Sequence, residues 1–600
     1  MNAYNIFRDT LEGIIAAPFP NPVNYTLPFK RMLIILLLGC QSIYAQSTGT
    51  LVVTPKYYHI DHDLHLILVN QPLETLSNRG LPKNNLLVDR YYDFQTPITN
   101  ITVGQAYLVT RQGTTQSYQL FFTELPIIEI TPTTTIVDEP SIPAQFTFTP
   151  SKGDIINSWI GIEYRGGSSQ GLPKKSFRLT FWKDHTASKT KNVQFLDMRT
   201  DDDWNLQALY NEPLRLRNKS CHQLWKNMSR LHYQDQEPTA INGIEIRYVE
   251  VFVEGHYQGV FGLSERIDRK QLQLKAPSSH QNRGQLYKGF SWTDVPTFYQ
   301  VYNDYNNNNL LWRGFKHIYP DATYNWKGLH QFCDFVVNSS DSLFYTDFTK
   351  YFDLDNAVDY FIFLNVVRAS DNTGKNIYIA QYDQKEPFYY VAWDLDGSLG
   401  NDWDGSWHGW YYGLLSNGMY DRLLQDCQPN GFKELLKKRW QELRQTIFSP
   451  AYLLRTIELN YQYLERNGVY QREQLAWPAY SKNPTHLSNL KHWLNNRLIQ
   501  LDLLFEEECI PVINFDPKDP YSFQKDILVY PTPTTDILYI DYKNRKDAVG
   551  SLYSATGAFI LDFPIKHGHQ AKDLSHLDKG AYILYVNNTE YQFTQRILLY

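Results

Sequence analysis

The sequence has little charge imbalance, few cysteines and no long apolar run, and each absence removes a class of function. Its 57 lysines and arginines against 63 aspartates and glutamates give a formal net charge of -6. The clustered basic surface that a phosphate backbone demands is therefore missing, and nucleic acid is not expected as the main partner. The five cysteines contain no CxxC pair, which excludes a zinc ribbon or a thioredoxin-type redox site. The strongly apolar stretch at residues 32–39 is too short to span a membrane. Neither GxGxxG nor a Walker A lysine motif occurs, so neither standard phosphate cradle is available. No two isolated carboxylates stand out as the acid and base of a glycosidase.

What is present points to a large exported chain. Its 600 residues with 42% hydrophobic content bury more than one core, and about two to four domains are expected. Aromatic residues are dense, with 44 Tyr, 32 Phe and 14 Trp; core packing is their main expected use and sugar binding the lesser one. Lys30 and Arg31 precede the apolar run, and Ser42-Ile43-Tyr44-Ala45-Gln46 offers a small-residue cleavage site. This is the layout of an export signal over residues 30–46. Leu38-Gly39-Cys40 also has the form of a lipoprotein cleavage box, and residues 1–29 fit a start codon assigned too early. No other segment reaches membrane-spanning length, so the mature chain is expected to be soluble or surface-attached. Export permits disulfides among Cys221, Cys333, Cys427 and Cys509, and four unpaired buried thiols are equally compatible with their spacing.

Periodicity divides the remainder. Residues 47–124 alternate short apolar and polar runs, a β-rich region. A Pro/Thr-rich stretch over residues 125–150 leads into a larger unit, residues 125–508, with early strands at 159–164 and 176–182. Asp355 is placed to cap a helix through Ala357, Val358, Phe361 and Leu364. Residues 376–382 and 388–393 read as a hairpin. Two apolar stripes follow at helical spacing. One is Phe432, Leu435, Leu436, Trp440, Leu443 and Ile447, ended by Pro450; the other is Leu490, Trp493, Leu494, Leu498 and Leu501. Residues 509–527 are a Pro- and Asp-rich linker, and residues 528–600 read as a small all-β module with turns at Gly557 and Gly580.

The chemistry concentrates between the helix and the hairpin. Asp371 and Asn376 stand five positions apart in Ala369-Ser370-Asp371-Asn372-Thr373-Gly374-Lys375-Asn376, and Trp393-Asp394-Leu395-Asp396-Gly397 follows the second strand. Phosphoryl transfer needs such a set: one carboxylate accepts the proton of a hydroxyl, while an amide oxygen and a further carboxylate hold divalent ions against the phosphates. Helix, loop, hairpin and acidic turn is the order of the catalytic and metal-binding loops of protein kinases. On this reading Asp371 is the base, Asn376 and Asp394 are metal ligands, and Asp396 is the second or alternative carboxylate. Each has a plainer use: Asp371 shaping a turn with Asn372, Asn376 starting a strand, and one of Asp394 and Asp396 accepting backbone N–H groups. Lys375 either neutralises the moving phosphoryl group or is an exposed turn lysine. For the nucleotide phosphates the candidates are Arg165, Lys174 and Lys175 around Gly166-Gly167-Ser168-Ser169, with Glu265 as the partner of a phosphate-binding lysine and Lys288 as a further cation. Trp403, Trp407, Trp410, Tyr411 and Tyr412 form either a substrate platform or, the stronger expectation, packing against the helical region.

Five stretches in order resemble one family. Residues 161–178, with Arg165-Gly166-Gly167-Ser168-Ser169 and Pro173-Lys174-Lys175-Ser176-Phe177-Arg178, resemble the RGxSS…PKK(S/P)(F/Y)R signature of the spore-coat protein H (CotH) kinase family. Residues 204–225 with Leu216-Arg217-Asn218, residues 251–268, the Asp371 loop and residues 393–396 follow, so the resemblance covers roughly residues 125–505. It implies an atypical kinase that uses ATP and Mg²⁺ or Mn²⁺ to phosphorylate exported or surface proteins on Ser or Thr. The fold expected for the whole chain is α+β: an atypical, protein-kinase-like two-lobed core, an N-terminal β-rich region and a small C-terminal β-sandwich. A catalytically silent kinase fold serving surface binding or adhesion is the alternative, against which the intact Asp371, Asn376 and Asp394 argue. The final module has Tyr530-Pro531-Thr532-Pro533 in place of the usual YPNP, then Gly580-Ala581-Tyr582-Ile583-Leu584 and the ending Arg596-Ile597-Leu598-Leu599-Tyr600. It resembles the C-terminal sorting domain of the Bacteroidota type IX secretion system. That implies passage through the type IX machinery and release or attachment at the surface.

Overall fold

The computed structural model describes residues 49–76, 82–278, 283–321, 323–506, 527–542, 546–554, 558–588 and 591–599. The export signal, all but the last residue of the expected linker, and the Gly557 turn lie outside the described residues. Among the described residues the chain is mixed α/β, and no helix is long and apolar enough to cross a membrane.

Seven strands close into a barrel, each hydrogen-bonded to the next: Ile156–Arg165, Ser176–Trp182, Asp203–Gln207, His256–Ser264, Ile246–Val253, Ile127–Pro132 and Ile142–Thr149. The Pro/Thr-rich stretch thus supplies two barrel strands. Ile142, Ala144, Phe146 and Phe148 alternate inward, and the Thr and Ile content favours extended backbone. The interior is filled rather than hollow: Phe146, Phe148, Phe181, Phe195 and Trp204 pack edge to face with ring centroids 4.9–5.9 Å apart.

A separate seven-stranded sheet precedes the barrel, in the order Thr50–Val52, Lys83–Leu87, Tyr91–Ile98, Ala106–Arg111, Ser117–Phe122, Leu66–Val69 and Tyr58–Asp61. Its Leu66, Leu68 and Phe121 pack against Ile127, Phe252 and Tyr257 of the barrel. Farther along, Asn467 Oδ1 accepts from the Glu124 N–H at 2.7 Å. Gly468 adopts a left-handed φ of +69°, and a Cβ there would stand 2.3 Å from the Gly104 carbonyl oxygen, so this junction requires glycine.

A five-stranded sheet (Leu311–Trp312, Phe315–Tyr319, Gln285–Phe290, Lys375–Gln381, Phe388–Ala392) shares one core with helices that run from Arg217–Met228 to Thr485–Phe505. The hairpin lies within one residue of its expected bounds. Both apolar stripes are in this core, with Leu435 and Ile447 only partly buried. Two local expectations are corrected. The cap of the helix Leu354–Val367 is Asp353, whose carboxylate accepts from Asp355 N–H and Asn356 N–H at 3.1 and 3.2 Å; Asp355 stands in the first turn. Pro450 opens the helix Pro450–Arg466 behind the Ser449 cap, the position where a missing N–H costs nothing. Cys221 and Cys333 are free and buried, whereas Cys427 is disulfide-bonded. The C-terminal segment forms a three-stranded and a four-stranded sheet around its own core, which includes Val529, Ile540, Leu552, Leu584 and Ile597.

Candidate active site

The site grows out of hairpin geometry. An antiparallel pair returns the chain to its start, and the register Ile377↔Ala392 sets Asn376 beside Trp393 at one end. The helix Leu354–Val367 runs into that end, buried from Asn356 to Val367. Arg368 turns it off in a left-handed conformation (φ 51°), and the short 3-10 turn Ser370–Thr373 presents Asp371. Asn376 and Asp394 are both left-handed, each with φ 55°. Asn and Asp take this backbone more readily than most side chains, and it persists where the surroundings enforce it. Asn372 supplies that enforcement. Its buried side-chain amide donates to the Asn376 carbonyl at 2.9 Å and to the Trp393 carbonyl at 2.6 Å, clamping the two halves together. Tyr360 fixes the clamp by donating to the Asn372 carbonyl at 2.9 Å.

The acidic groups act on one another electrostatically. Burial pushes the Asp371 carboxyl up to about 6; the charges of Asp394 and Asp402 push the same way, while Lys375 and the Trp292 N–H oppose them. The Asn376 amide nitrogen stands 3.5 Å from Asp371 Oδ2. Burial, reinforced by the Asp394 charge, pushes Asp396 up to about 7 against hydrogen bonds from Asn211 and the Gly397 N–H. Asn218, at the start of the helix Arg217–Met228, accepts the Leu395 N–H at 3.1 Å and so holds the acidic turn from beneath.

Of the phosphate-binding candidates, two reach this cluster. Arg165 ends a barrel strand, lies 5.7 Å over the Trp393 ring and feels the charges of Asp394 and Asp396. Lys288, on the central strand Gln285–Phe290, feels Asp394 and Arg165; burial lowers its pKa first of all. The others are engaged elsewhere. Lys174 is fully buried, donating to Glu473 at 2.7 Å and to the Val260 carbonyl at 2.6 Å, so it is a packing cation and not a phosphate ligand. Lys175 donates to the Leu172 carbonyl at 2.6 Å and to that of Gln170, closing the loop after Arg165. Glu265 pairs with no lysine of the site: its carboxylate accepts from Arg199 N–H at 3.0 Å, Glu245 N–H at 2.9 Å and the Gln271 amide at 3.0 Å. Lys375 rests its ammonium 3.8 Å from the centroid of the Trp292 ring.

Four contributors escaped the sequence reading of the site. Asn372 adjoins Asp371 and Asn218 belongs to the Leu216-Arg217-Asn218 motif, so both carried a signal. Asn211 and Trp292 carried none; Trp292 donates from Nε1 to Asp371 Oδ1 at 3.2 Å across 79 residues of chain. Trp403, Trp407 and Trp410 remain 41–49% exposed, where packing was the stronger expectation. Tyr411 and Tyr412 are half-buried.

A buried carboxylate, an amide and paired acidic residues thus stand together at the end of the hairpin, on a mixed α/β unit followed by a separate β module. The CotH kinase protein family model matches residues 162–501, more than half of the chain. The chain belongs to that family. Residues 528–600 match the secretion system C-terminal sorting domain, so the protein is secreted, to the medium or the cell surface. No curated protein matches the chain.

Proposed function

We propose that this protein transfers the γ-phosphoryl group of ATP to Ser or Thr hydroxyls of exported proteins, with a divalent cation. The observation that carries the reading is the convergence of Asp371, Asn376 and Asp394 at one hairpin end, held by the Asn372 clamp. Residues 125–508 act in this reading as the kinase unit, its two lobes meeting where Arg165 of the barrel faces the hairpin.

The donor set suits a hard cation. Asp394, Asp396 and the Asn376 amide offer oxygen ligands; burial and then the Asp394 charge raise Asp396, and the Asp394 charge acts on Arg165 and Lys288. Among the described residues no three His, Cys, Asp or Glu group to hold a metal ion, so a cation held by Asp394 and Asp396 would need the Asn376 amide and phosphate or water oxygens to complete its shell. When bound, the cation supplies charge neutralisation to the phosphate oxygens. The remaining work falls to the chain. Arg165 and Lys288 hold phosphate oxygens from the barrel and sheet sides. Asp371 accepts the hydroxyl proton through Oδ2 while the Trp292 N–H holds Oδ1. Lys375 stands beside the base to offset charge on the transferred group.

The test is incubation of the mature chain with γ-labelled ATP and Mg²⁺ or Mn²⁺ beside an exported-protein fraction. Acid-stable label on Ser or Thr, absent without cation, is the expected result. A parent chain that transfers no label with either metal contradicts the reading.

A further inference from the structure

The surface beside Asp371 is aromatic. Trp292 is 49% exposed although its Nε1 donates to Asp371 at 3.2 Å and one ring face carries the Lys375 ammonium at 3.8 Å. Its neighbours Phe290 and Tyr299 are exposed as well. The segment bearing them is not a loose loop. Asp294 caps the 3-10 turn Val295–Thr297, and the Gln300 amide ties back to the Thr293 carbonyl at 2.9 Å. A Cβ on Gly374 would come within 2.8 Å of the Ser291 carbonyl oxygen, so the segment lies directly on the catalytic turn. An indole that only covered Asp371 would bury its surface; this one is held in place and left open.

We infer that Trp292 selects the acceptor, its open indole surface taking an apolar or aromatic side chain next to the hydroxyl residue of a polypeptide segment. This rests on the phosphotransfer reading. The charges around the ring disfavour a charged flank. An acidic flank meets the charges of Asp371, Asp394, Asp396 and Asp402, which interact electrostatically as one cluster. A basic flank meets Lys375, which already occupies the cation position over the ring. Rigid indoles at recognition surfaces give contact area at small entropy cost.

The experiment compares two fluorescent peptides, identical except for Phe or Ala beside a single Ser, binding to the full mature chain without nucleotide. The parent binds the Phe peptide about 3- to 10-fold more tightly, the range of one aromatic pair. Trp292→Ala abolishes the difference and Trp292→Phe retains it. In transfer assays the same preference falls on KM rather than kcat. Equal binding of both peptides by the parent, or an undiminished preference in Trp292→Ala, overturns the inference. A parent that discriminates the peptides yet takes no label from ATP overturns the phosphotransfer reading instead, because the binding ratio is measured without turnover.

Discussion

Asn372 contributes no atom to the proposed reaction, yet it decides where two of the reacting residues stand. Removing its amide leaves the buried carbonyls of Asn376 and Trp393 without their donor. Asn372→Ala is therefore expected to lower transfer about 10- to 100-fold, as outer-shell partners of metal ligands do, with the loss concentrated in the cation dependence of the rate. A cation titration that is unchanged contradicts this. Lys174 illustrates the opposite case. Burial works against the Glu473 carboxylate, but Lys174, Arg215 and the Val260 N–H hold its pKa below the usual range. Lys174→Met should cost about 3 kcal/mol, the low end for breaking a buried pair because Arg215 remains. That is read as a lower denaturation midpoint with nucleotide affinity unchanged in the folded fraction. The sequence offered both Lys174 and Lys175 as candidates beside a glycine loop, with Lys175 the favoured one. Which face of the strand each takes, and which glutamate waits almost 300 residues later, is tertiary information that no local pattern carries.

Elements were legible wherever one period dominated. The hairpin was read to within a residue because Ile377 to Tyr382 and Phe388 to Val391 are β-branched and aromatic runs. Where two residues competed for one role, only the backbone decided: Asp353 rather than Asp355 took the extended cap conformation. Closure of the barrel was not legible, since it depends on pairing between strands as far apart in sequence as Ile127–Pro132 and Ile246–Val253. Packing of these elements also sets a pH response. His222 in the helix Arg217–Met228 and His317 in the strand Phe315–Tyr319 are buried with neither ring nitrogen hydrogen-bonded. Burial pushes them down to about 3 and about 4. The unfolded chain takes up their protons near pH 6.5, so the stability present above that pH is lost progressively as pH falls toward 4. Each histidine contributes a slope of about 1.4 kcal/mol per pH unit in that window. Urea midpoints at pH 7, 5.5 and 4.5 should fall steadily for the parent and less steeply for His317→Phe; parallel curves contradict the assignment.

At the scale of the whole molecule, the N-terminal sheet is fused to the barrel, while the tail keeps its own core and meets the helical unit where Tyr530 stacks on Tyr412. The N-terminal sheet shares buried residues with the barrel and hydrogen-bonds to Asn467, so a chain beginning at residue 125 is expected to melt several degrees lower or to aggregate through Ile127, Phe252 and Tyr257. The sorting module has its own core, and its removal should leave the melting transition of the remainder nearly unchanged. The sequence showed the two β regions but not this asymmetry, because junctions such as Gly104 against Gly468 bring together residues without a shared pattern. Secretion also bears on the chemistry. ATP is scarce outside a cell, so the proposed transfer is expected during export rather than after it. The most direct measurement of the central claim is label transfer from γ-labelled ATP by the parent beside Asp371→Asn and Asp394→Asn, each with a parent-like melting transition. The parent should take or transfer label with Mg²⁺ or Mn²⁺, and both variants should lose at least about 100-fold, the lower end of a general base's contribution. Equal label in all three proteins would contradict the account.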